Sequence, residues 1–230
     1  MNKLNIDDVL ATSYLSAKAP PIATKNNTAL LLIDIQYLAT PDYLADRAIQ
    51  AGLEAKHVHT ALADYRNRFD AALEKCEQVL RAARANNIPP IHVKIQSLSG
   101  DARDTGALHR RLGWQFPPKS AEGAFIKQTS PRDGEIVITK TASGAFTGTG
   151  LGTTLRNMGI EHLLICGFVT DECVETTSRV ALDLGYVIKI IEDATTTYHK
   201  DAWAFVINKF AGFGFTASTE QAVRELEGLK

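Results

Sequence analysis

Cysteine is scarce in this chain: Cys76, Cys166 and Cys173 are the three among 230 residues. An odd, sparse set is poor material for a disulfide framework, and no C-x-x-C spacing suggests a zinc site. Neither sign of charge is in excess, since 25 Lys and Arg face 26 Asp and Glu for a formal net charge of -1. No basic run or basic face stands out, so the electrostatic footprint of a nucleic-acid partner is missing. Long hydrophobic runs are missing too, and nothing approaches the roughly 20 apolar residues that span a bilayer. Met1 to Asp8 contains two early acids and no continuous apolar segment, unlike a secretory leader. Together these absences predict a cytoplasmic protein without nucleic-acid or membrane partners, whose ligand is small and neutral or weakly charged. The six histidines form no H-E-x-x-H or D-x-H pattern, so no metal and no cofactor is expected.

What is present is an alternation of short apolar runs and amphipathic segments. At 45% hydrophobic the chain can bury a sizeable core. Residues 1–27 read as an N-terminal arm, with a short helix over Ile6–Leu15 stopped by Pro20-Pro21, and residues 28–230 as one domain. Thr28 to Ile35 is almost continuously apolar, the pattern of a strand buried on both faces. Further strands are predicted at 91–95, 135–139, 162–167 and 187–191, and a last one at 213–217. Helices are predicted at 64–86, where Phe69, Leu73, Cys76, Val79, Leu80 and Ala83 recur at helical spacing, and at 148–158, 171–184 and 201–210. Crossovers long enough to hold a helix imply a three-layer α/β fold, a doubly wound and mainly parallel sheet with helices on both faces. The polar stretch 96–133 is long for a compact domain, which suggests a functional loop.

Three reactive residues follow three different strands: Asp34, Lys140 and Cys173. Parallel sheets of this kind place ligands at the carboxyl ends of their strands, so residues distant in sequence can meet there. Cys173 falls in the first turn of a predicted helix, where the dipole and a nearby ammonium would lower a thiol's pKa. Its bland alternative is a small buried hydrophobe, the reading that fits Cys76 and Cys166. Asp34 ends an apolar strand, where a carboxylate is costly unless paired or used. Lys140 can pair with it, or simply reach for solvent. The glycine-rich Ser143–Gly150 matches no phosphate-binding pattern and reads instead as a loop lying close to a small ligand, with Phe146 as a wall.

Leu30–Gln36, Lys140–Phe146 and Gly167–Thr177 resemble, in order, the aspartate, lysine and cysteine motifs of the isochorismatase-like cysteine hydrolase superfamily. The resemblance extends over about residues 26–220. It implies an Asp34–Lys140–Cys173 triad, a cis peptide at Phe168–Val169, an oxyanion hole from the backbone amides of Val169 and Cys173, and a homodimer or homotetramer. The region Lys94–Gly100 lacks the aspartate and histidines that hold a metal in nicotinamidases of this superfamily. Having Cys173 favours hydrolysis of a small amide, ureide or carbamoyl compound, with thioester formation and ammonia release. Gln36, Tyr37, Gln96, Trp114, Phe146 and Thr170 are the candidate substrate contacts, and Arg110 and Arg111 candidates for a substrate carboxylate. Two rivals stay open: vinyl-ether hydrolysis without the cysteine, and a catalytically silent subunit.

Overall fold

The computed structural model describes residues 4–13 and 20–230. Its elements in chain order are α1 (Ile6–Ser13), β1 (Thr28–Ile33), α2 (Pro41–Gln50), α3 (Ala55–Ala85), β2 (Pro90–Ile95), α4 (Ala107–Arg111), β3 (Ile136–Lys140), α5 (Leu151–Asn157), β4 (His162–Phe168), α6 (Glu175–Asp183), β5 (Val187–Thr196), α7 (Lys200–Ala211), β6 (Thr216–Ala217) and α8 (Thr219–Gly228). The six strands form one all-parallel sheet in the order β3-β2-β1-β4-β5-β6. Right-handed crossovers then set α3 on one face and α5, α6 and α7 on the other. The expected doubly wound α/β class is therefore the observed one. The predicted extension of α1 to Tyr14 and Leu15 lies outside the described residues.

β1 sits at the centre because its sequence suits no other place. All six residues of Thr-Ala-Leu-Leu-Leu-Ile are buried, so both faces and both edges are covered. Burying apolar surface contributes about 25 cal/mol per Å2, and a strand apolar on both faces gains on both. β3, at one edge, is only partly buried, and Val137 stays exposed there. The stripe predicted on α3 is its buried side, with Phe69, Cys76, Val79, Leu80 and Ala83 among the core residues. Cys76 Sγ lies 3.0 Å from the Ala194 carbonyl, and Cys166 is fully buried in β4, both packing residues.

Three helices, α2, α4 and α8, were not legible in the periodicity, though α2 and α8 each start with a local signal. Thr40 caps α2 by accepting from the Tyr43 amide, with Pro41 in its first turn. A capping box between Ser218 and Gln221 starts α8. The short α4 breaks the long 96–133 loop, which is closed on itself by Ser97 N to Phe116 O at 2.8 Å and held to the segment after β3 by Gly106 N to Thr141 O at 3.0 Å. A Cβ on Gly106 would sit 2.4 Å from that same Thr141 oxygen, so only glycine allows the approach.

A polar cluster ties the end of α3 to β2 and β3. Glu135 receives Arg84 through both carboxylate oxygens at 2.7 Å, the Arg132 amide at 2.8 Å and His92 Nε2 at 3.0 Å. Burial opposes the Glu135 charge, but the Arg84, Arg132 and His92 contacts outweigh it and hold the carboxyl down to about 2. A depressed carboxyl stabilises the fold above its unfolded pKa and loses that contribution as pH falls through the folded one. Glu135→Gln is expected to lose about 2 kcal/mol in urea unfolding at pH 7, and the gap to wild type should close as pH falls from about 4.5 towards 2.

At the end of β4, Gly167 adopts φ +116, and a Cβ there would lie 2.0 Å from the Ile33 carbonyl oxygen. Gly167→Ala should therefore destabilise the protein by at least about 3 kcal/mol in the same assay. A smaller loss would mean that β1 and β4 do not pack this tightly.

Candidate active site

The carboxyl ends of the strands bring three distant residues together. Asp34 follows β1 directly with φ +48, a left-handed turn that Asp tolerates better than most side chains. Lys140 is the last residue of β3, one strand beyond β2, so its long side chain crosses the end of β2 to reach Asp34. Cys173 lies beyond β4 in a π turn, Thr170–Val174, that precedes α6. Lys140 Nζ is 2.8 Å from Asp34 Oδ2 and 3.4 Å from Cys173 Sγ, and it donates to the Ala142 carbonyl at 3.0 Å. Asp34 and Lys140 are each 1% exposed and Cys173 3%. The Phe168–Val169 peptide beside them is cis.

These groups set one another's protonation. Burial pushes the Asp34 carboxyl up, against the pull of Lys140 and a hydrogen bond from the Cys173 thiol. No backbone amide or hydroxyl reaches that carboxylate among the described residues; Lys140 and Cys173 are its polar neighbours. Burial also opposes the Lys140 charge, but Asp34 and Cys173 outweigh it and hold the ammonium above its usual range. The sequence led us to expect a lowered thiol pKa at Cys173. In the structure burial raises it, Lys140 pulls it back only in part, and Asp34 adds to the rise. The helix-end argument fails because the sulfur is sealed in the core beside a carboxylate. At rest the site is a thiol next to an ion pair, with a proton acceptor already in place.

A narrow cavity opens onto the sulfur, lined by Asp34, Leu38, Ala39, Ile95, Trp114, Phe168, Val169, Glu172, Cys173 and Tyr198. Its free volume is about 10 Å3, room for about one water. Of the six candidate substrate contacts, Trp114 lines this cavity and the other five do not. Gln36 is fully buried, with its amide spent on the Ile95 amide and carbonyl and the Gly123 carbonyl. Tyr37 donates to Asp46 at 2.6 Å near the surface, and Thr170 shares a hydrogen bond with Thr195 at 2.8 Å. Gln96 uses its backbone amide on Lys140, and Phe146 stacks on Tyr186 at 5.8 Å. The glycine-rich segment is thus no wall of the cavity; its Ala145 amide instead donates to Thr177 Oγ1, tying the lysine motif to α6. Arg110 donates to the Arg103 and Thr105 carbonyls, and neither it nor Arg111 reaches the cavity.

Sequence reasoning missed Leu38, Ala39, Ile95, Phe168, Glu172 and Tyr198 as lining residues. Tyr198 follows β5, so the rule that found Asp34 and Lys140 applies to it too. Behind Trp114 lies His109, 1% exposed, its ring 5.5 Å from the indole and neither nitrogen hydrogen-bonded. Burial and the Lys140 charge push its pKa down to about 4, so it is a neutral imidazole. Among the described residues no His, Cys, Asp and Glu side chains gather as metal ligands do, and no helix is long and apolar enough to cross a membrane.

Known proteins resemble this chain in sequence and in fold. The ureidoacrylate amidohydrolase RutB of Stutzerimonas stutzeri is 26% identical over 225 residues, covering 90% of this chain and 86% of that protein. An uncharacterized isochorismatase family protein, YwoC of Bacillus subtilis, is 34% identical over 117 residues, which is 49% of this chain and 59% of YwoC. The chain's match to YwoC thus spans under two thirds of that relative. Among solved structures, a cysteine hydrolase from Pseudomonas syringae superposes with a TM-score of 0.72 at 19% identity, covering 93% of this chain and 99% of the other. N-carbamoylsarcosine amidase from Thermoplasma acidophilum gives 0.62 at 21% identity, covering 84% and 97%. The model of the isochorismatase domain matches residues 28–221, from the first residue of β1 into α8. The chain belongs to the isochorismatase family.

Proposed function

We propose that this hydrolase is a cysteine-dependent amidohydrolase that cleaves the C–N bond of a small amide, ureide or carbamoyl compound. One observation carries the reading: the ammonium of Lys140 stands 2.8 Å from a carboxylate and 3.4 Å from a thiol at the closed end of one cavity. An amidohydrolase and an amidase among the similar proteins support the same chemistry. The three free cysteines support a reducing, cytoplasmic setting.

In this mechanism Asp34 takes the Cys173 proton as the sulfur adds to the substrate carbonyl, with Lys140 balancing the charge that forms on sulfur. The backbone amides of Val169 and Cys173 hold the oxyanion. The C–N bond then breaks, Asp34 returns its proton to the leaving nitrogen, and a thioester remains. Water attacks that thioester and gives a proton to Asp34; the acyl–sulfur bond breaks, and the thiolate recovers the proton. The raised thiol pKa suits this cycle, because the nucleophile forms only when a substrate carbonyl is there to accept it.

Cys173→Ala should reduce ammonia release from any amide substrate by at least about 10³-fold, with an unchanged far-UV circular dichroism spectrum. Retained turnover in that variant would instead favour chemistry that needs no sulfur, such as vinyl-ether hydrolysis. Asp34 must be ionised to act as base, and burial raises its pKa from 3.8. The acid limb of kcat/KM is therefore expected above the ordinary carboxylate value of about 4, with activity falling as pH drops through it. Asp34→Asn should remove that limb together with the activity.

A further inference from the structure

Outside the reactive trio, the cavity carries one ionisable carboxylate, Glu172, adjacent in sequence to the nucleophile. Its side chain is half-buried and makes no hydrogen bond or ion pair among the described residues. An unpaired carboxylate in such a place is costly to keep. The same cavity is lined by apolar and aromatic residues, Leu38, Ile95, Trp114, Phe168 and Tyr198.

Free cations are missing from the same cavity. Lys140 is committed to Asp34 and Cys173. Arg68, the guanidinium that holds the Tyr198 segment, is bound to Asp64, Thr196 Oγ1 and the Thr197 and Tyr198 carbonyls. Arg47 donates to the Tyr43 hydroxyl. A substrate carboxylate entering here would meet two carboxylates and no uncommitted positive charge.

Building on the amidohydrolase reading, we propose that Glu172 is a specificity-determining residue: it receives the ammonium or other N–H donor end of an amine-bearing amide or ureide, and the site rejects carboxylate-bearing substrates. Burial and the neighbouring Asp171 and Asp34 charges raise the Glu172 pKa against a smaller pull from Lys140, a penalty that a bound cation would relieve. The aromatic walls suit a short methylene chain or an alkylammonium near ring faces.

The test uses two readouts on the full-length protein. The first is labelling of Cys173 by 2-aminoethyl and 2-sulfonatoethyl methanethiosulfonate, which form the same mixed disulfide linkage and release the same sulfinate but carry opposite charges. Rates are followed on the Cys173 peptide by mass spectrometry and normalised to the urea-unfolded chain. The second is ammonia release from N-(2-aminoethyl)urea, N-carbamoyl-β-alanine and propylurea, of similar size but cationic, anionic and neutral. Wild type should favour the cation over the anion by about tenfold or more in both readouts, the scale of one charge pair in a partly buried site. Glu172→Gln should lose that preference, mainly through KM, and Glu172→Lys should reverse it.

Equal labelling of wild type by both reagents, a preference for the anion, failure of Cys173 to react with either, or a preference undiminished in Glu172→Gln would each overturn the proposal. Labelling that favours the cation through Glu172, without ammonia release from any of the three compounds, would uphold this charge selection and count against the amidohydrolase reading alone.

Discussion

The Asp34–Lys140 ion pair is the constraint around which the rim of the sheet is arranged. Taking both charges out of water costs several kcal/mol per ion, and only close geometry with further polar contacts offsets it. That geometry needs Lys140 to lie about one residue beyond the level of Asp34 with β2 between them, a register fixed by the pairing of Ile33 with Val93 and of Ile95 with Lys140. It also needs the left-handed turn at Asp34, which ends the strand and turns the chain into the cavity segment. Removing either partner would leave the other buried without compensation, so the pair is poorly explained by stability and well explained by chemistry.

A second constraint follows from the sulfur. Sealed beside the pair, Cys173 is held as a thiol by burial and by the Asp34 charge, while Lys140 lowers the cost of its ionisation. The result differs from a cysteine activated in advance at a helix end. In the proposed mechanism activation is a proton transfer over a short path, coupled to addition at a carbonyl, and the resting site is spared a buried thiolate facing a buried carboxylate.

Much of this was legible in the sequence, for reasons visible in particular residues. A strand apolar on both faces can only be central, so Thr28–Ile33 declared both its position and the direction of its neighbours. The rule that ligands gather at carboxyl ends of parallel strands then picked out Asp34 and Lys140, and the turn after β4 picked out Cys173. What stayed hidden depends on contacts made by loops. Gln36 was a candidate substrate contact, yet its amide is consumed by the Ile95 and Gly123 backbone. Phe146 looked like a cavity wall, but no periodicity reports that it stacks on Tyr186. The thiol pKa was misjudged because sequence shows the helix end and not the depth of burial. α3 begins about nine residues earlier than its apolar stripe, since its first turns are largely exposed and carry little pattern.

The depth at which Cys173 lies has a consequence for the protein's surroundings. A folded neighbour or a passing polypeptide presents amide bonds in enormous excess over any small metabolite, yet Cys173 lies almost wholly buried behind Leu38, Trp114 and Tyr198. If the sulfur attacks carbonyls as proposed, that depth favours small molecules over polypeptide main chain, a safeguard that resides in burial and not in the reactivity of the group.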